Sequence, residues 1–113
     1  MKILIVEDDD AICQTLKLIV QMNAHFAECA MTIKDAKRLL TENQYDAICL
    51  DLLIQGEMST DLLKLKGKSK AIVLSAWHQA PAIAAEYSLD LIKKPFDIEE
   101  LEKKLLTKDT DLN

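Results

Sequence analysis

Short apolar runs alternate with segments of helical period from one end of this chain to the other, and that alternation leaves few folds open. "KILIV" (2–6) is too short for a helix and rich in β-branched residues, so it reads as a buried strand. "DAICQTLKLIVQM" (10–22) follows, with Ile12, Leu16, Ile19 and Val20 on one stripe and Asp10 placed to cap it. The unit then recurs. Further strands are expected at 25–30 ("HFAECA"), 46–50 ("DAICL"), 71–74 ("AIVL") and 89–92 ("LDLI"). Helices are expected at 33–43, where Thr32 caps an inner face of Ile33, Ala36, Leu39 and Leu40, and at 59–66 and 81–88. Asp97 and Glu100 are spaced as a capping box for a last helix from residue 98. "STDLLKLK" makes barely two turns before Gly67, so the third helix is short.

Such βα alternation with short connections predicts an α/β fold, a five-stranded parallel sheet covered by helices on both faces. With 113 residues, 50% of them apolar, a single domain over 1–113 is expected, with 107–113 a frayed tail. The net charge of −5 offers no basic footprint for nucleic acid. No apolar run approaches the roughly 20 residues of a membrane span, and "MKILIVEDDD" is not a signal peptide. Cys13, Cys29 and Cys49 are odd in number and widely spaced. They read as buried free thiols in a reducing cytoplasm, not as a disulfide framework or a zinc pattern.

In open α/β sheets, ligands sit beyond the carboxyl ends of the strands. The first strand delivers Glu7, Asp8, Asp9 and Asp10 to that rim, the third Asp51, the fourth Ser75 and the fifth Lys94. Clustered carboxylates repel unless a hard cation neutralises them, and Mg²⁺ suits one or two carboxylates together with a phosphate. A carboxylate can also attack phosphorus to give an acyl phosphate, with an ammonium and a hydroxyl meeting the charge on the phosphoryl oxygens. Each residue also has a plainer reading. Asp51 could be a turn carboxylate or an ion-pair partner of Lys94, Ser75 a turn residue, and the acidic run a set of charges favoured at a helix N-terminus.

Taken together in order, "ILIVEDD", "DAICLDLLIQG", "IVLSA" and "KKPF" resemble a receiver domain of the bacterial two-component response regulators. The resemblance covers essentially the whole chain. It implies a flavodoxin-like fold of strand order 2-1-3-4-5, with phosphorylation of Asp51 by a sensor histidine kinase or a histidine phosphotransfer protein. Glu7 and Asp8 would hold Mg²⁺ together with Asp51 and the backbone carbonyl of Leu53. Ser75 and Lys94 would bind the phosphoryl group, and the Lys94–Pro95 bond would be cis. The protein would be cytoplasmic and no enzyme beyond its own phosphorylation and dephosphorylation. It would signal to a downstream protein, with a second copy of itself as a further candidate partner.

Three departures qualify this pattern. Leu91 stands where the family has a switching aromatic, and Gln55 and Ser59 stand where a Pro and a Gly are usual. Leu53 and Trp77 place apolar bulk beside the site, where it would keep water from the acyl phosphate. Two other readings stay open: a degenerate receiver serving as a phosphorylation-independent docking module, and a small phosphohydrolase. Leu53 argues against the latter, because such enzymes commonly have an acid/base Asp at that place.

Overall fold

The structure, a computed structural model, describes residues 1–107. Its elements in chain order are β1 (Lys2–Val6), α1 (Asp10–Met22), β2 (Phe26–Ala30), α2 (Ile33–Glu42), β3 (Ala47–Leu50), β4 (Leu53–Ile54), β5 (Glu57–Met58), a 3-10 helix (Thr60–Leu65), β6 (Lys70–Ser75), α3 (Ala80–Glu86), β7 (Asp90–Lys93) and α4 (Ile98–Leu105). Five strands form one parallel sheet in the order β2-β1-β3-β6-β7. Counted along the chain, that is the expected 2-1-3-4-5. The expected tail lies, from residue 108 onward, outside the described residues.

Strand alternation builds a core on each face of this sheet. Ile3 and Ile5 of β1 pack with Leu16 and Val20 of α1 and Leu101 and Leu105 of α4. Leu4 and Val6 point the other way, towards Ala36, Leu39 and Leu40 of α2, Leu62 of the 3-10 helix and Ala84 of α3. The result is three layers. A strand buried on both sides has no polar face, so β1 and β3 read as continuous apolar runs.

Local details differ from the sequence reading in four places. Asp9, not Asp10, is the N-cap of α1, its Oδ1 accepting from Ile12 N–H at 3.1 Å. Asp10 is instead the first helical residue, where its charge suits the helix dipole. Asp97 caps α4, but Glu100 pairs with Lys104 at 3.3 Å, in place of the expected capping box. The third helix is a 3-10 helix, and before it the chain makes an unexpected antiparallel hairpin from β4 and β5. Gln55 and Gly56 form the hairpin's turn with φ of 53° and 80°, the left-handed pair that matches the twist of a two-residue hairpin.

The fourth difference concerns the cysteines. Cys13 of α1 and Cys29 of β2 form a disulfide, with their Cα atoms 6.2 Å apart. Only Cys49 keeps the free, buried state expected of all three. The pairing arises where the first turn of α1 packs over the end of β2, a tertiary contact that a separation of 16 residues does not announce.

Candidate functional site

The carboxyl ends of β1, β3, β6 and β7 converge as the alternation requires. Glu7 N–H donates to Ala30 O of β2 at 3.0 Å, and Asp51 N–H donates to Val6 O of β1 at 3.0 Å. Parallel pairing thus continues one residue past each apolar run and sets two acids at the rim. Ser75 ends β6 opposite Lys93, and Lys94 N–H donates to Ser75 O at 3.2 Å. Lys93 is exposed, and it is Lys94 that turns inward, next to a cis Lys94–Pro95 bond.

Lys94 Nζ lies 2.5 Å from Glu7 Oε2 and 2.9 Å from Asp51 Oδ2. Glu7 is 2% exposed and Asp51 8% exposed, so these charges are largely withdrawn from water. Burial pushes the Glu7 carboxyl above its ordinary value; Lys94 pulls the other way, and the negative charge of Asp51 adds to the rise. For Lys94, burial alone would lower the ammonium's pKa, but its hydrogen bonds and attraction to the two carboxylates outweigh that and hold it raised. The ion-pair reading of Asp51 is therefore correct as far as it goes. It leaves two acids, Glu7 and Asp51, sharing one ammonium.

Carboxylate oxygens of Glu7, Asp8 and Asp51 all lie within 4.8 Å of one another. An all-oxygen set of that size and charge fits a hard divalent cation such as Mg²⁺. Asp8 Oδ2 accepts from Gln55 N–H at 2.7 Å, so the β4–β5 turn already reaches this cluster. Leu53 N–H donates to Asp51 Oδ1 at 3.3 Å, and its side chain is half-buried.

On the opposite side, Ser75 is buried and its Oγ accepts from Trp77 N–H at 3.1 Å. Trp77 is half-buried, and with Ser75, Leu91 and Lys94 it lines a cavity of about 190 Å³. A larger hollow of about 740 Å³ lies between the end of α2 and residues 65–69, and none of the site residues line it. The sequence reading named two residues, Ser59 and Gln55, only as departures from the family pattern and gave them no part in the site. Ser59, fully buried, donates its hydroxyl to Asp51 O at 2.5 Å. Gln55 contributes its backbone alone in the contact to Asp8. Glycine at 56 after an apolar stretch was the available signal for the turn; nothing local marks Ser59 as facing Asp51.

The model of the response regulator receiver domain family matches residues 3–106. The chain belongs to that family. Two curated relatives are the transcriptional regulatory protein CrdR of Helicobacter pylori, 26% identical over 92% of this chain, and the two-component response regulator PhoP of Pseudomonas aeruginosa, 30% identical over 93%. This receiver domain spans about half the length of each, 53% and 50%. A solved receiver domain from Methylobacillus flagellatus superposes with a TM-score of 0.78 at 28% identity, over 91% of this chain and 93% of that one. Among the described residues of the receiver, no helix is long and apolar enough to cross a membrane.

Proposed function

We propose that Asp51 accepts a phosphoryl group from the phosphohistidine of a sensor histidine kinase or phosphotransfer protein, and that the acyl phosphate switches binding of a downstream protein. The supporting observation is the withdrawn carboxylate of Asp51, 2.9 Å from Lys94 Nζ and within 4.8 Å of two further acids. In this reading an Asp51 oxygen attacks phosphorus in line, and the P–N bond to the donor imidazole breaks with its electrons leaving on nitrogen. Lys94 follows the charge onto the phosphoryl oxygens, and the Ser75 hydroxyl donates to one of them while still accepting from Trp77. Glu7 and Asp8, with the Leu53 carbonyl, would hold Mg²⁺, which when bound offsets phosphoryl charge. The chain acts as one receiver domain in the cytoplasm, with dimerisation as one form its response could take.

Leu53 and Trp77 flank the site as half-buried apolar groups, and slow hydrolysis of the acyl phosphate follows if they exclude water. The test is incubation with a small acyl or amido phosphate, with and without Mg²⁺, read by intact mass. A Mg²⁺-dependent phosphoryl adduct absent from Asp51→Ala supports the reading. Its absence in the unaltered chain refutes it and favours the docking module, which the 3-10 helix at Thr60–Leu65 and the aliphatic Leu91 also favour.

A further inference from the structure

The Cys13–Cys29 pair takes no part in the chemistry assigned to Asp51, yet it is joined to the acidic loop from both sides. Cys13 N–H donates to Asp9 O at 2.9 Å, and Asp9 N–H donates to Glu7 Oε1 at 3.1 Å. On the other flank Cys29 precedes Ala30, whose carbonyl accepts Glu7 N–H at 3.0 Å. The disulfide closes this path into a ring: Cys13, Asp9, Glu7, Ala30, Cys29. Glu7 lies on the ring, and Asp8 lies between two of its members.

The two cysteines differ in exposure. Cys13 is fully buried, whereas Cys29 is partly exposed on β2, an edge strand of the sheet. Cys49 is buried in β3, where burial, and then the charge of Glu7, push its thiol up to about 12. A small reagent therefore meets Cys29 first. Cys29 Sγ also lies 3.4 Å from Cys13 O, so a reduced Cys29 has an acceptor without any backbone movement.

We propose that Cys13 and Cys29 are a reversible thiol–disulfide site that exchanges with low-molecular-weight disulfides of the glutathione type and stiffens the Glu7–Asp9 loop when oxidised. In the oxidising direction, the Cys29 thiolate attacks one sulfur of the small disulfide, forming a mixed disulfide and releasing one small thiolate. The Cys13 thiolate then attacks Cys29 Sγ and displaces the second. Two electrons pass from the protein to the reagent, and the two cysteine protons end on the two small thiols. Excess small thiol reverses both steps. This is the transient kind of disulfide that a reducing compartment permits. The inference holds whether or not Asp51 accepts a phosphoryl group.

The test takes the full chain, reduced, and treats it with oxidised glutathione. Peptide mapping should find Cys13 linked to Cys29, with two hydrogens lost from the intact mass. Amide exchange at Glu7, Asp9 and Cys13 should slow by on the order of tenfold in the cross-linked chain. Cys29→Ser and Cys13→Ala should each abolish both effects, and Cys49→Ala should leave both in place. Cys29→Ser, at the partly exposed position, carries the control if Cys13→Ala does not fold. A glutathionyl adduct without the internal link, or no reaction, overturns the proposal. So does a cross-linked chain whose three amides exchange as in the reduced one.

Discussion

Lys94→Met removes the only ammonium that, among the described residues, pairs with both Glu7 and Asp51, and the cost follows from their burial. Glu7 is 2% exposed, Asp51 8%, and the Lys94 side chain 14%. Deleting one partner of a buried pair typically costs about 3–5 kcal/mol, because the other charge is left uncompensated. The rim is open enough for Lys94 to keep some water contact, which argues for the lower end, about 3 kcal/mol. At a urea slope of about 1.5 kcal/mol/M, the unfolding midpoint should fall by about 2 M in the presence of a chelator. The pH dependence has a definite sign. Burial already holds the Glu7 carboxyl above its ordinary 4.5, so Glu7 adds stability at low pH and loses it as pH rises through the folded value. Without Lys94 that folded value climbs further. The variant's deficit should therefore be full at neutral pH and shrink as pH falls towards 4.5. Asp51→Asn on the same background should recover part of the loss, and Mg²⁺ should stabilise the variant more than the parent. A deficit below about 1 kcal/mol at neutral pH in chelator would refute the reasoning, since surface pairs are worth no more.

Three further outcomes are expected. Leu53→Asn combined with Trp77→Glu should shorten the lifetime of phosphorylated Asp51 on the order of tenfold, followed by loss of the mass adduct; an unchanged decay removes water exclusion as the cause. Ser59→Ala deletes the hydroxyl that donates to Asp51 O and should cost about 1–3 kcal/mol in equilibrium unfolding. A cost near zero would show that the carbonyl finds another donor. Gln55→Gly should stabilise the chain by about 0.5–1 kcal/mol, because Gln55 holds φ at 53°; destabilisation would mean that its side chain makes a contact worth more than the relieved strain.

The parallel sheet was legible because burial on both faces leaves an unmistakable mark: β1 and β3 each hold four consecutive buried residues, and each is followed at once by an acid. Register followed from the same pattern, and register alone carries Glu7, Asp51 and Ser75 to one edge. Lys94 was legible only through "KKPF", since periodicity could not choose between Lys93 and Lys94. What escaped depends on contacts between distant segments or on small backbone energies. The choice between an α-helix and a 3-10 helix over Thr60–Leu65 is a matter of one short segment's packing. The Cys13–Cys29 bond reflects how α1 lies across β2, and Ser59 matters because the hairpin folds it back under Asp51.

The contact from Gln55 N–H to Asp8 has a consequence for how such a site can drift or be redesigned. A main-chain donor survives every replacement of its own side chain except proline. What sets the presentation of Asp8 is therefore the length and handedness of the turn, not the chemistry of residue 55. Two chains with identical acids at this rim could bind a cation with different strength because one is a residue longer between Asp51 and Ser59. Transplanting the acids alone into another scaffold would carry over the charges and leave behind the donor that aims one of them.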